Sequence, residues 1–154
     1  MEDVITLFGA KLYFRNFAGE EGIYNKKGDR NFGVFIEDDL AARLENAGWN
    51  VKRTKPDEDG YSRAYIKVKV NFKGRPKLYL VTSGNKTLLT EDNVDELDSL
   101  VFENVDLKIR RAYLSRYDQY AQYLDKGFFT ALEDELDKKY FGQEANQFEE
   151  DTPF

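Results

Sequence analysis

Apolar and polar residues alternate over most of this chain with a period of two, the mark of strands that bury one face of a sheet. Alternation is cleanest at 63–72, where Ile66, Val68, Val70 and Phe72 fall on one face and Tyr65, Lys67, Lys69 and Asn71 on the other. Residues 4–17 read as a long strand broken at Gly9. Beyond the break, Ala10, Leu12 and Phe14 share one face and Lys11, Tyr13 and Arg15 the other. Further strands are predicted at 30–36, with Phe32, Val34 and Ile36 inward, and at 49–53. Over 77–82, Leu78 and Leu80 alternate with Lys77, Tyr79 and Val81. Val105, Leu107 and Ile109 mark another strand, with Lys108 and Arg110 facing away, and a last strand falls within 119–132. Gly19, Gly22, Asn25 and Gly28 make 18–28 a loop or hairpin connection, and Lys73-Gly74-Arg75-Pro76 is a turn.

Helical spacing is convincing at one place, Leu40, Ala41, Leu44 and Ala47, with Asp38 or Asp39 as cap and Gly48 as a left-handed end. Residues 90–99 read as a short acidic helix or turn capped by Thr90, and 133–140 as a polar amphipathic turn. Trp49 follows Gly48 and alternates with Val51, which places it beneath the helix. Phe17, Phe32, Phe72, Phe128 and Phe129 are assigned to core or hairpin packing. About seven strands and one principal helix predict a mainly β fold, a small barrel or sandwich. An OB-fold, the five-stranded Greek-key barrel, accommodates the pattern. The expected division is one domain over 1–141 and a flexible acidic tail over 142–154.

Composition narrows the chemistry. Aromatic residues make up 15% of a chain that is also 34% charged, which leaves rings to spare for the surface of a β fold. Histidine and cysteine are both absent, which removes disulfides, thiol catalysis, Cys/His zinc sites and imidazole general bases. No window approaches the length of a membrane span, and the N-terminus lacks the order of a signal peptide. The expectation is a protein of a reducing cytoplasm with no membrane partner. The net charge of −6 argues at first against a phosphate-bearing ligand, but its distribution reverses that argument. All 23 bases lie within residues 1–139 beside 25 acids, and the last 15 residues hold four acids and no base. Residues 52–77 carry nine bases against three acids, while 87–106 carry seven acids and no base. A basic face on an acidic chain is the result.

Three strands repeat one outward pattern: Lys11-Tyr13-Arg15, Tyr65-Lys67-Lys69 and Lys77-Tyr79. Brought side by side, they build a platform of rings between cations. Single-stranded nucleic acid is held by that combination, since every base has a face to stack and the cations follow the phosphates. Arg30, Lys52, Arg53, Arg75, Lys108 and Arg110 extend the path. The plain alternative is an ordinary solvent face of half-buried strands, where Lys and Tyr are common.

The last residues, Glu149-Glu150-Asp151-Thr152-Pro153-Phe154, resemble the tips of bacterial single-stranded DNA-binding proteins, acidic runs closed by Ile-Pro-Phe. Asn25-Lys26-Lys27-Gly28-Asp29-Arg30-Asn31-Phe32, Gly48-Trp49-Asn50-Val51-Lys52, Lys69-Val70-Asn71-Phe72 and Asn104-Val105-Asp106-Leu107 resemble small phage-encoded proteins of the same function. The resemblance spans about residues 4–140, with the tail as a second match. It implies an OB-fold body that binds single-stranded DNA in replication, recombination or repair. It also implies a tail, with Glu149, Glu150, Asp151, Pro153 and Phe154, that recruits a polymerase, helicase or primase. Anionic side chains suit a basic patch, and the terminal ring suits an apolar pocket. Residues 110–118 depart from the family pattern with more Tyr and Arg. Arg111, Tyr113, Arg116 and Tyr117 are there either a DNA-facing loop or a polar linker, and 113–123 offers aromatic surface for a homodimer.

Two other readings stay open: a structural or interaction protein of a phage particle, and a nuclease using carboxylates and Lys alone. Against the nuclease, helix capping explains Glu37, Asp38 and Asp39 more simply than magnesium does, and Tyr65 stands where a restriction-type site needs an acid. The expected chain has no catalytic residues, no metal site and no cofactor.

Overall fold

The strand predicted to break at Gly9 does break there, and the break closes a barrel. The computed structural model describes residues 3–133 and Leu136. Among these, β1 (Val4–Leu7), β2 (Leu12–Asn16) and β3 (Arg30–Phe35) precede the helix α1 (Asp38–Asn46), followed by β4 (Val51–Arg53) and β5 (Ala64–Val70). β6 (Lys77–Thr82) and β7 (Asn85–Leu88) form a small hairpin, and the long strands β8 (Phe102–Leu114) and β9 (Gln119–Ala131) complete the sheet. Strand order is β1-β8-β9-β5-β3-β2, and β1 runs on into β2 along the chain. At the join, the Ala10 amide donates to the Val105 carbonyl of β8 (2.8 Å), while the Lys11 carbonyl accepts from the Phe35 amide of β3 (3.0 Å). Two successive residues thus bond to opposite ends of the sheet, and the barrel shuts. Taking 4–16 as one bent strand, the order is that of a five-stranded OB-fold, with β5 and β9 parallel (Val68 opposite Gln122) and the other barrel pairs antiparallel.

The barrel interior holds the residues that the alternation assigned to it. Ile66 and Val68 of β5, Phe32 and Val34 of β3, Leu107 and Ile109 of β8 and Phe129 of β9 are buried. Phe17 packs face to face with Phe32 at a centroid distance of 4.9 Å. Helix α1 covers one end with Ala41 and Leu44, and Trp49 lies beneath it at 4% exposure. Gly48 has φ +91°, which lets the chain turn directly from the helix toward β4.

Several local expectations are corrected. The N-cap position of α1 is Glu37, which makes no side-chain cap bond, and Asp38 and Asp39 sit in the first turn, where their charges favour the helix dipole. The strand count rises from seven to nine because Gly9 divides β1 from β2 and because β7, exposed at all four residues, carries no alternation to read. Residues 90–99 form a 3-10 turn (Val94–Asp98), with the Thr90 hydroxyl accepting from the Asp92 amide at 3.2 Å. Phe14 points outward at 72% exposure with φ +46°, because a bulge between Tyr13 and Asn16 rotates it off the inner face. Phe128 also faces out, and Phe72 leaves β5 to open a 3-10 turn (Phe72–Gly74).

Candidate nucleic-acid interface

Register brings the residues of β2, β3 and β5 together on the outer face. Tyr13 lies opposite Gly33, and Gly33 opposite Lys67. Phe35 lies opposite Tyr65, and Tyr65 opposite Lys52 of β4. Asn31 lies opposite Lys69. Across this surface Tyr13 packs at 4.6 Å from Phe35 and at 5.4 Å, edge on, from Tyr65. β3 separates the two Tyr strands, and they meet because Gly33 contributes no side chain between them. A Cβ there would sit 3.0 Å from the Tyr13 carbonyl oxygen and 3.3 Å from its ring. The Arg63 guanidinium covers Phe35 at 3.5 Å from the ring centroid.

A groove of about 750 Å³ opens beside Tyr65, lined by Phe14, Arg15, Tyr24, Gly33, Lys52 and Lys67 and also by Glu20 and Asp98. One wall is loop 17–29. Asn25 donates to the carbonyls of Glu20 (2.8 Å) and Asp29 (3.0 Å), and Asn31 donates to Asn25 Oδ1 (2.7 Å). The Asp98 carboxylate receives the amides of Phe17 (2.7 Å) and Ala18 (2.9 Å), which fixes the root of the loop and leaves that charge engaged. Tyr24 stands on the loop 95% exposed. On the other side, Lys52, Lys67 and Lys69 line a hollow of about 170 Å³ that ends on Leu114, Gln119 and Tyr120. These belong to the β8–β9 hairpin, whose turn spans 115–118. Arg111 and Tyr113 are therefore strand rather than loop or linker, while Arg116 and Tyr117 lie in the hairpin turn. The strand runs to Leu114, paired from Arg110 opposite Tyr123 to Leu114 opposite Gln119.

The remaining predicted residues separate into groups. Lys11 is exposed beside Phe35, at the head of the floor. Arg15 lines the groove, but its guanidinium is engaged: it donates to the carbonyls of Leu97 (2.8 Å) and Leu100 (2.5 Å) and lies over Phe102. Arg53 pairs with Glu45 of α1 at 2.7 Å. Arg30 lies over Phe72 in a hollow of about 320 Å³ that also contains Lys69, Lys73, Tyr123 and Glu91. Arg75 has φ +56° and closes the turn after β5. Arg110 covers the Tyr123 ring at 5.1 Å, and Lys108 lies 3.7 Å from Asp125. Lys77 and Tyr79 sit on β6 against β9, where Tyr79 stacks on Phe128 instead of joining Tyr13 and Tyr65. Arg111 is buried, bound to Asp3 at 2.9 Å and to the Ala47 carbonyl, so it pins the helix end to the hairpin. Glu149, Glu150, Asp151, Pro153 and Phe154, like the boundary at 141–142, lie outside the described residues.

Sequence reasoning passed over Phe35, Arg63, Tyr24, Phe14 and Tyr120. Phe35 was readable, since inward Val34 and Ile36 leave it outward. Tyr24 had a signal too, as the apolar pair Ile23-Tyr24 lies in a loop between Gly22 and Asn25. Phe14 had none, because its exposure follows from a bulge. The Tyr113 hydroxyl at the hairpin tip donates to Asp118, which raises its ionisation above the ordinary phenol value, helped by slight desolvation and by Tyr120. Among the described residues, no group of three or more acids could hold a metal ion. Among the described residues, no helix is long and apolar enough to cross a membrane.

A family model described as "Putative phage ssDNA-binding domain" matches residues 1–151. The chain belongs to that family. Among solved structures, it is similar to the single-stranded DNA-binding protein of bacteriophage Enc34 in complex with ssDNA, with a TM-score of 0.54 at 8% identity, covering 86% of this chain and 88% of that one. The same phage protein without its C-terminus gives a TM-score of 0.52 at 9% identity, covering 86% and 88%. A further structure of the Enc34 protein gives 0.52 at 9% identity, covering 86% and 83%. At this identity the likeness concerns the fold. No curated protein sequence matches the chain.

Proposed function

We propose that this chain binds single-stranded DNA along the β2–β3–β5 groove with little regard to sequence, and that it acts by binding rather than by catalysis. One observation carries the proposal: Tyr13, Phe35 and Tyr65 pack into one aromatic cluster on the outer face, and Tyr65 lines an open groove with Phe14, Tyr24, Lys52 and Lys67, beside a hollow that adds Lys69. Bases stack on such rings whatever their identity, and the cations follow the backbone. The flanking loop and hairpin occupy the positions from which OB-folds embrace oligonucleotides. Family membership, and a structural neighbour solved with ssDNA, support the same ligand here.

In this reading the protein coats transiently exposed strands during phage replication, recombination or repair in the host cytoplasm, removes their secondary structure by mass action and shields them from nucleases. The acidic end recruits a polymerase, helicase or primase, its carboxylates meeting cations and Phe154 an apolar pocket. Deleting 143–154 is expected to tighten DNA binding at low salt while abolishing partner contacts.

Fluorescence anisotropy tests the binding, with labelled oligo-dT of about 30 nucleotides, longer than the ~4–16 that one OB-fold covers, against duplex at several salt concentrations. Expected is a preference for the single strand, with log affinity falling by about 0.7 per released counterion on log salt. Tyr13→Ala and Tyr65→Ala should each lose about 1–3 kcal/mol, roughly 5- to 150-fold. No binding at low salt, with the tail both present and removed, discards the proposal.

A further inference from the structure

β6, β8 and β9 carry a second surface with the same chemistry as the groove. Lys126 of β9 lies in register between Lys77 of β6 and Lys108 of β8, so three lysines stand abreast on neighbouring strands. All three are exposed. Like charges directly opposite one another destabilise a sheet. Asp125 lies 3.7 Å from Lys108, but among the described residues no carboxylate pairs with Lys77 or Lys126. In the next row on the same face Tyr79 stacks on Phe128 with centroids 4.9 Å apart and planes 12° from parallel, and the β8 position of that row is Asp106, whose carboxylate accepts from the Gly9 amide. Leu88 of β7, opposite Tyr79 and 52% exposed, extends this row. A row of cations beside a row of stacked rings repeats on this face what Lys67, Tyr65 and Tyr13 build on the other.

The two surfaces are joined. Lys69, at the end of the groove, lies in register with Tyr123 of β9, and Tyr123 with Arg110 of β8, whose guanidinium covers its ring. Two residues along the same face of β8 comes Lys108, since Ile109 between them is buried. On β9 the register shift at 108–109 inserts Asp125, so Lys126 faces out with Tyr123 rather than into the barrel. The hollow lined by Arg30, Lys69 and Tyr123 marks the crossing. Cations and rings therefore follow one another from β5 across β9 to β6, with Asp29 and Glu91 in the crossing hollow and Asp125 beside Lys108 as the acids along the way.

Resting on the groove as the primary DNA site, we propose that Lys77, Lys126, Tyr79 and Phe128 form a second subsite on which a longer single strand continues after leaving the groove at Lys69. The groove alone holds a short strand. A strand long enough to pass Tyr123 and Arg110 gains phosphate contacts at the lysine row and a base stacked at the Tyr79–Phe128 pair. The three lysines abreast are then relieved by the phosphates they face.

The test compares full-length protein with Lys77→Gln/Lys126→Gln and, separately, with Tyr79→Ala, using dT oligomers of about 6 and about 20 nucleotides, which bracket the span of a single OB-fold site. For the longer oligomer, the lysine double variant should weaken binding about 5- to 30-fold at low salt. It should also flatten the salt slope by about 1.4, two counterions at ~0.7 each. Binding of the shorter oligomer should stay within about twofold of wild type, which also reports an intact fold. Unchanged affinity for the longer oligomer overturns the subsite and leaves the patch to a protein surface or to the chain's own acidic end. Equal losses for both lengths overturn it too, because the effect would then run through the groove. Failure of the groove itself reads differently: wild type would not bind the short oligomer, or Tyr65→Ala would leave that binding unchanged.

Discussion

Loop 17–29 and the hairpin arm at 112–121 flank the same groove, yet the first is held mainly by side-chain hydrogen bonds and the second by a backbone ladder. The loop is braced chiefly by side chains: Asn25 and Asn31 bind the carbonyls of Glu20 and Asp29 and each other, Asn16 binds Glu20 and Asp98 holds the root, with a few backbone bonds such as Gly28 to Gly19 between them. The arm extends past the last β1 partner at Arg110 and the first β5 partner at Gln122, and its residues pair with one another from Ala112 opposite Ala121 to Leu114 opposite Gln119. A ladder is made by atoms that every residue has, whereas a side-chain network is made by a few residues in particular. One wall should therefore fail at a single substitution, and the other should tolerate many.

The largest effect is expected from Asn25→Ala, which leaves loop carbonyls and the Asn31 amide short of partners, at about 1–3 kcal/mol. Hydrogen exchange should accelerate across 19–30 and remain unchanged at 112–121, with oligo-dT affinity lowered about tenfold or more. Equal acceleration in both walls would break the contrast. Next is Arg111→Met at the root of the arm. Its side chain, 2% exposed, bonds to Asp3 and the Ala47 carbonyl and covers Tyr120 at 4.2 Å. Since Asp3 is largely solvated, the loss should be about 2 kcal/mol, a fall in Tm of roughly 4–8 °C by calorimetry. Within the ladder, Gln119→Thr should change stability by less than about 0.5 kcal/mol, and a larger fall in chemical denaturation would show that side chains hold the arm after all.

The smallest effect concerns the arm's tip. The neutral Tyr113 phenol donates to Asp118, so its contribution is present below the unfolded value near 10 and is lost as pH rises through the higher folded value. Asp118→Asn should return the tyrosine titration toward 10, seen by ultraviolet difference titration, with stability at neutral pH hardly altered. A titration unchanged by the substitution would remove Asp118 as the cause.

β5 was legible because both of its faces obey one rule: Ile66, Val68 and Val70 are buried and Tyr65, Lys67 and Lys69 are half-exposed, as alternation required. The helix, the bend at Gly9 and the burial of Trp49 were legible for the same local reasons. β2 was not, since the bulge that turns out Phe14 and sends Arg15 to the Leu97 and Leu100 carbonyls is set by tertiary contacts. The outward Lys-Tyr pattern holds on β5 and β6, but how the three strands are placed relative to one another was not legible. Whether Tyr79 meets Tyr65 depends on which stretch of β9 each strand pairs with, 122–123 for β5 and 126–130 for β6, and spacing along the chain does not encode that choice.

The closure at Ala10 and Lys11 bears on the order in which the molecule comes into being. Residues 4–7 pair with 107–110, so β1 waits for β8 to be made. β3 and β5 find each other early, but β9, which supports β5 and carries Gln122 under Lys67, follows later still. Contacts so distant in sequence form slowly and only once both partners exist. Until β9 has been made the barrel cannot close behind the aromatic cluster, and DNA-binding competence arrives as a single event once it does.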